Sequence, residues 1–438
     1  MKGSRAQPAE PAASRKANRA QPAEPAASRI VALRRPFLSL AVPNYRRYFT
    51  GQVVSLSGNW MQIVAEVWLV LQLTGSGLAI GLLTAAQFAP ILFFGAWGGL
   101  LADRIPKRRL LMITQAAMVV PALLLLALAV TGLVEAWMVL ALAFVRGSVN
   151  AIDNPARQSF VIEMVGADRV VNAVSLNSVI VHCARMVGPA VAGVLIATVG
   201  VEACFALNGL TFAAMLVALA RMAPEQLDEP QPAVREPGAL RAALRYVART
   251  PALAVPLAMM ALVGTLSFNF QVLLPLIATG TFHGGPQAYA MLVTAMGLGS
   301  VAGALVAGTR GRVSARVLVM ASAAFGAFTV LAAVAPTLPL LAVALVLVGA
   351  ASVTFAAGVN SSLQLAVEPE MRGRVMALYS VVFLGSTPIG APLAGWLSEA
   401  AGPRAGLMLS AAAALVAAGA AWAWGRRAAG RMPAAAAA

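Results

Sequence analysis

The chain has 438 residues, of which 60% are hydrophobic and only 11% carry a charge, against about 25% in an ordinary soluble domain. So little charge cannot cover a soluble surface, and the apolar residues come in unbroken runs such as 119–130 and 338–348. A soluble enzyme, a disordered chain and a disulfide scaffold are excluded, and an all-α integral membrane protein with many spans is indicated.

Residues 1–40 read as a disordered cytoplasmic tail, polar and rich in Ala and Pro, with the run RAQPAEPAASR at 5–15 repeated at 19–29. No apolar core marks this stretch as a secretory signal. Six spans are expected at 47–73, 77–102, 109–131, 135–158, 169–199 and 202–222. Span 1 carries Gln52, Ser55, Asn59, Gln62 and Glu66 at alternating spacings of 3 and 4, which is one helical face. Polar groups face lipid at a high cost, so this face points into the bundle or a wet cavity. Glu66 is the one acid well inside a span, and two readings stay open for it. It is either a carboxylate that takes up and releases protons or a structural hydrogen-bonding or ion-pair partner.

The loop after span 2 carries Asp103, Arg104, Lys107 and Arg108. A carboxylate at Asp103 can cap a nearby helix N-terminus, while the basic run also serves as a topology signal. Span 4 presents Arg146, Asn150, Asp153 and Arg157 on one face, and the last two can pair at i, i+4. Span 5 presents Asn172, Ser175, Ser178, His182 and Arg185 in the same manner. Arg146 and Arg185 fall near mid-depth, where a guanidinium needs a carboxylate, carbonyls or water. Glu66, Arg146 and Arg185 are therefore expected to form one buried cluster of two cations and one anion. Its surplus charge either attracts an anionic substrate group or belongs to a network that only holds spans 1, 4 and 5 together. His182 is read as a packing residue, with titration as the alternative.

A polar linker follows at 223–250. In it Leu240, Ala243, Leu244 and Val247 form an apolar stripe beside Arg241, Arg245 and Arg249. This suits a short amphipathic helix on anionic headgroups, or an ordinary solvated linker helix. Six more spans are expected at 251–279, 286–309, 313–334, 338–366, 372–400 and 404–425, then a cytoplasmic tail at 426–438. This half has no acid or base well within a span. It offers Phe268, Asn269, Phe270, Gln271, Asn360, Gln364, Tyr379 and Phe383, an apolar and aromatic wall with a few hydrogen bonds, as amphipathic ligands require. Pro275, Pro388 and Pro392 are placed to bend spans 7 and 11.

The formal net charge of +16 would raise nucleic acid as a partner in a soluble protein, but its placement along the chain reads otherwise. All Lys and Arg except Arg146, Arg185 and Arg404 fall on the side that holds both termini, and the loops around Gly75, Gly132 and Gly200 and near Gly280 and Pro336 have none. Short basic loops stay in the cytoplasm. The expectation is a multi-pass protein of the bacterial inner membrane with both termini cytoplasmic and no nucleic-acid partner.

The two halves repeat each other. Gly188, Ala192, Gly193, Leu195 and Gly200 map onto Gly390, Ala394, Gly395, Leu397 and Gly402 at a constant offset of 202, and Gly95, Arg104, Arg108, Leu110 and Met112 map onto Gly303, Arg312, Arg316, Leu318 and Met320 at 208. The organisation expected is a tail at 1–40, a six-helix bundle at 41–222, the linker at 223–250, a second six-helix bundle at 251–425 and a tail at 426–438. The bundles are related by an axis along the membrane normal, with a site between them.

GLLADRIPKRRL at 99–110 resembles the loop between helices 2 and 3 of the major facilitator superfamily, and ARMVGPAVAG at 184–193, with Gly188, Pro189 and Gly193, resembles the helix-5 motif of its drug-antiporter branches. DNPARQSF at 153–160, NAVSLNS at 172–178 and RGRVMAL at 372–378 are similar to the enterobactin-exporter-like and macrolide-efflux-like proteins, the transmembrane secretion effectors. The resemblance implies that Asp103 caps helix 11, which begins near Arg372. Gly99, Arg104, Lys107, Arg108, Asp153 and Arg157 would surround it, and the latch would hold the halves together in the outward-open state. Arg146 resembles the superfamily's helix-4 arginine.

No Walker motif, GxSxG elbow or HExxH pair occurs, and Cys183, Cys204, His182 and His283 are too few for a metal centre. The expected function is proton-coupled export of a small amphipathic molecule, a drug or siderophore-like metabolite, by alternating access in a monomer. It needs no cofactor beyond the proton gradient. The substrate cavity would draw on Asn59, Gln62, Glu66, Arg146, Asn150, His182 and Arg185 with the C-terminal aromatic wall. The alternatives are an importer or facilitator of a small, possibly anionic, metabolite and, more remotely, a membrane receptor or enzyme.

Overall fold

A computed structural model describes residues 35–227, 239–308 and 314–429. The repeated RAQPAEPAASR segments and the end of the C-terminal tail lie outside them. Among the described residues twelve spans are long and apolar enough to cross a membrane. The first six are α1 (Pro43–Thr74), α2 (Gly77–Arg104), α3 (Lys107–Thr131), α4 (Ala136–Val165), α5 (Val170–Thr198) and α6 (Val201–Ala220), packed as an N bundle. The linker helix α7 (Ala239–Arg249) leads to a C bundle. There α8 (Pro251–Leu266) and α9 (Phe270–Gly280) share span 7, followed by α10 (Pro286–Gly308), α11 (Ala315–Ala333) and α12 (Leu338–Ala366). Span 11 is likewise divided into α13 (Pro369–Gly385) and α14 (Thr387–Ala401), and α15 (Pro403–Ala429) ends the bundle. The face on which α1 begins and α15 ends is the near face, and the opposite one is the far face.

The breaks in spans 7 and 11 have local causes. Span 7 parts at Ser267–Asn269, ahead of Pro275 rather than at it. The Asn269 side-chain amide donates to the Thr265 carbonyl (2.7 Å), and the Ser410 hydroxyl of α15 donates to the Leu266 carbonyl (3.1 Å). Side chains thus serve the backbone groups that the break frees, as a low-dielectric interior demands. Span 11 parts at Ser386, two residues before Pro388, which has no N–H and suits the first turn of α14. The two breaks touch, because Gly390 packs directly on the Thr265 carbonyl and any side chain at Gly390 would collide with it.

The internal repeat is visible as equivalent contacts. Gly188 of α5 sits on α1, where a methyl group would lie 2.7 Å from the Ser57 carbonyl oxygen. Its counterpart Gly390 sits on α8, the equivalent helix of the other half. Gly193 of α5 faces Ala290 of α10, and its counterpart Gly395 faces Gly77 of α2. The helix-5 motif is therefore a packing device, which lets α5 approach its own bundle on one side and the opposite bundle on the other.

In α7 the stripe is used partly by the protein. Ala243 and Val247 are buried in the C-bundle core, whereas Leu244 is 51% exposed. The side chain of Leu240 lies outside those described.

The bundles meet along α2–α14 and α5–α10, and the tightest contacts gather at the far face. Trp68 of α1 stacks on Tyr289 of α10 there, with ring centroids 6.5 Å apart. Gly75 ends α1 with a left-handed φ of 62°, which glycine adopts without strain. The turn leads to Ser76, whose hydroxyl accepts from Ala79 N–H and donates to Glu399 Oε2 (3.0 Å). Leu78 N–H donates to the same oxygen (3.1 Å). A carboxylate at the end of α14 thus caps the N-terminus of α2 in the other bundle, where the helix dipole favours it. Glu399→Gln should loosen this tie and raise the far-open population by about two- to five-fold, the effect of a solvent-exposed cap. Electron-spin distance measurements between labels on Leu133 and Thr337 would show it as a longer-distance component, and an unchanged distribution would deny the tie a closing role.

Candidate functional site

The polar face of α1 points inward, as its spacing requires. Ser55, Gln62 and Glu66 are buried, with Gln62 and Glu66 fully so. Glu66 lies two turns from the end of α1, roughly 12 Å from the far face. Its Oε2 accepts from the Arg146 guanidinium of α4 at 2.6 Å and from Gln87 Nε2 of α2 at 3.0 Å, and its Oε1 accepts from Gln62 Nε2 at 2.7 Å. Arg146 also donates to Asn59 Oδ1 (3.1 Å), and Asn208 of α6 donates to Gln62 Oε1. Helices α1, α2, α4 and α6 are therefore joined through one ion pair. Gln87 and Asn208 were not singled out in the sequence. Each is a lone amide in an apolar run, and that is the signal that could have found them.

Arg185 does not join this cluster. Its guanidinium lies over the Trp60 ring, 4.7 Å from the centroid, and it makes no ion pair among the described residues. α5 places Arg185 on the far side of α1 from Glu66, because Gly188 seats the helix against Ser57 and Trp60. A desolvated cation–π contact is worth about 2 kcal/mol. That is less than the several kcal/mol it costs to take a charge out of water, so the ring does not compensate Arg185 fully.

Arg185 and His182 line a cavity of about 560 Å³ between the bundles. Of the expected lining residues, Phe268, Asn269, Gln271, Asn360, Tyr379 and Phe383 are there. Phe268 meets Phe383 edge-on, with centroids 5.8 Å apart, and Phe383 stacks on Tyr379, also at 5.8 Å. Trp60, Phe88, Tyr289 and Met296 complete the wall without having been anticipated. The far side is closed by Tyr289 and its neighbours, and the lining continues along α12 to Ser361, toward the near face. Gln62, Glu66 and Arg146, expected in the cavity, lie behind its wall, where Ile63, Val64 and Thr84 separate them from it. Gln364 is exposed and bonded to Asn360 (2.5 Å).

Asn59 and Asn150 line a second, smaller cavity inside the N bundle, about 200 Å³, which runs to Asp153 and Arg157. Asp153 pairs with Arg157 and accepts from Thr114 Oγ1 (2.6 Å) and Gln115 Nε2 (3.1 Å), while Arg157 also donates to Gln52. The residues grouped around the expected latch are thus engaged within their own bundle. Lys107 pairs with Glu163 at 2.5 Å. Arg108 donates to the Leu219 and Ala220 carbonyls at the end of α6 (2.8 and 2.9 Å), a favourable place for a cation. Gly99 is buried, whereas Arg104 and Arg372 are exposed. The Asp103 side chain lies outside those described.

The sequence at 35–430 matches the family described as transmembrane secretion effector. The chain belongs to this family. Related proteins include the multidrug efflux pump Tap of Mycolicibacterium fortuitum, 30% identical over 364 residues, which cover 80% of this chain and 88% of that protein. Macrolide efflux protein A of Streptococcus pyogenes is 25% identical over 83% of this chain and 91% of its own length. The staphyloferrin A transporter of Staphylococcus aureus is 24% identical over 59% of this chain and 65% of its own length. Among solved structures the nucleoside transporter NupG superposes with a TM-score of 0.70 at 13% identity, covering 87% of this chain and 98% of that one. A bacterial homologue of the lysosomal transporter Spinster gives 0.66 at 15% identity, covering 87% and 96%. These structures share the fold. The chain is a secondary transporter of the major facilitator type and not an enzyme.

The Glu66–Arg146 pair makes a stability prediction for this transporter. Arg146→Gln leaves a buried carboxylate unpaired and should destabilise the N bundle by about 3–5 kcal/mol. The double change with Glu66→Gln should recover most of that loss. Thermal unfolding in detergent across the four variants checks it, and a loss in the double variant equal to the sum of the two single losses would show that the pair carries no coupling.

Proposed function

We propose that the chain is a proton-coupled exporter of small amphipathic molecules, a monomer in the bacterial inner membrane with both termini in the cytoplasm. The observation that carries the reading is the juxtaposition of a buried, ion-paired Glu66 with an aromatic cavity between the two bundles, one helix layer apart. Two relatives, a multidrug efflux pump and a macrolide efflux protein, favour export. The basic excess on the terminal side favours cytoplasmic termini.

Because Ile63, Val64 and Thr84 stand between Glu66 and the cavity, substrate and proton do not compete for one set of atoms. Coupling runs through Arg146. Protonating Glu66 removes its charge and leaves the Arg146 guanidinium buried without an anion, a state that a dry bundle does not tolerate. The protonated form therefore belongs to the conformation that admits water to the pair. In alternation the far-side contacts open and the near side closes, and the Asp103 loop caps α13 in the outward-open state. The proton gradient drives the cycle without a bound cofactor.

The test uses liposomes containing whichever compound of a drug and metabolite panel the overexpressed protein exports from cells. Glu66→Gln should abolish transport driven by a pH gradient while gradient-free exchange stays measurable. Full proton-dependent transport in that variant would remove the coupling role. Accumulation in right-side-out but not inside-out vesicles would reverse the direction and make the protein an importer.

A further inference from the structure

The cavity carries a charge that the protein does not balance. Two arginines lie deep in the spans, Arg146 and Arg185, and they differ in their surroundings. Arg146 is neutralised by Glu66, whose two oxygens are both taken by Arg146, Gln87 and Gln62. Arg185 lines the cavity, and no aspartate or glutamate lines it with Arg185. Three polar atoms of lining residues are buried without partners: Arg185 Nε, His182 Nδ1 and Asn269 Oδ1. A buried donor on a cation, left open in a wall that is otherwise aromatic and aliphatic, is the arrangement of a site that waits for an anion.

Trp60 strengthens this assignment. The guanidinium carbon lies over its ring, and the Nε–H beside that contact has no partner, open to a planar oxyanion. Across the cavity Phe268, Phe383 and Tyr379 form an apolar aromatic wall, edge-on at the first contact and stacked at the second, and Asn269 Oδ1 offers an acceptor beside it.

We propose that the substrate is an amphipathic anion, whose carboxylate or similar oxyanion docks on Arg185 beside His182 while its apolar body lies against the Phe268–Phe383–Tyr379 wall. This rests on the reading of the cavity as the transport site and narrows it. Neutral and cationic amphipaths of the same shape are the wrong substrates, since a cation meets the Arg185 charge with no acid to offset it. An inside-negative potential then drives the substrate outward, in the direction proposed above.

The test measures equilibrium binding to the purified full-length protein in detergent, with no gradient, using three matched probes: 2-naphthylacetate, 2-naphthylacetamide and 2-(2-naphthyl)ethylamine. The carboxylate should bind about ten-fold more tightly, or better, than the amide, and the amine most weakly. Arg185→Gln should remove the carboxylate's advantage while the amide binds as in the wild type, which shows that the cavity is intact. Arg185→Lys, which keeps the charge and loses the fork, should retain part of it. Equal binding of the three probes, failure of the carboxylate to bind, or a carboxylate preference that survives Arg185→Gln overturns the proposal. None of these outcomes bears on proton coupling, which Glu66→Gln tests by transport, so the two readings fail separately.

Discussion

A charge surrounded by hydrocarbon must find its counter-charge inside the protein, and the N bundle is organised around one such match. Glu66 and Arg146 come from helices that enter the membrane from opposite faces, and they meet with Gln62, Gln87 and Asn59 completing the donors and acceptors. Because the pair joins α1 to α4 while its amides bring in α2 and α6, these helices cannot slide past one another without exposing a charge. The bundle is therefore stiff about its own core, and motion is left to the contacts between bundles.

Those contacts are made to be short and smooth. At the far face Gly77 and Gly81 of α2 rest on Gly395 and Ala391 of α14, where methyl groups would lie 2.7 and 2.5 Å from the facing carbonyl oxygens. α5 and α10 meet in the same way through Gly193 and Ala290. Small residues let the backbones approach closely and leave few interlocked side chains to be pulled apart when the bundles rock. Glu399 adds a polar tie at the rim, where water can replace it. In this far-closed arrangement the two ends of the α2–α14 seam differ: the far end is sealed by glycine contacts, and Lys107 and Arg108 of the near-face loop are bonded within the N bundle.

Much of this was legible in the sequence for physical reasons. Long apolar runs and alternating basic loops marked twelve spans, because lipid leaves the backbone little choice but a helix. The polar face of span 1 followed from helical spacing, and the repeats at constant offset became equivalent contacts such as Gly188–Ser57 and Gly390–Thr265. Pair identity was less legible. Arg146 and Arg185 looked alike as deep arginines, and periodicity gives a residue's face but not which neighbouring face it meets. Only the seating of α5 on Trp60 separates Arg185 from Glu66. Similarly, Lys107 and Arg108 read as a loop cluster, and their partners Glu163 and the α6 carbonyls lie more than 50 residues away in sequence. Trp60, Phe88 and Tyr289 were passed over because single aromatics in apolar spans carry no periodic signal.

The broken spans explain why the cavity wall is where it is. Irregular backbone is tolerated at membrane depth only where protein or water serves its free groups. Here both interruptions, at Ser267–Asn269 and at Ser386, are set against each other, with Asn269, Ser410 and Ser386 side chains bonding the carbonyls of Thr265, Leu266 and Phe383. Among the residues that flank the breaks, Phe268 to Gln271 on one and Phe383, Leu384 and Thr387 on the other line the cavity. A continuous helix would turn such residues away by 100° each, so consecutive positions could not all face one space. Breaking the helix permits that, and it gives the C bundle a dense aromatic wall without a charge. The N bundle, whose α1 to α6 run unbroken, supplies the cations instead. The division of labour between two copies of one six-helix unit thus follows from where each copy keeps its helices whole.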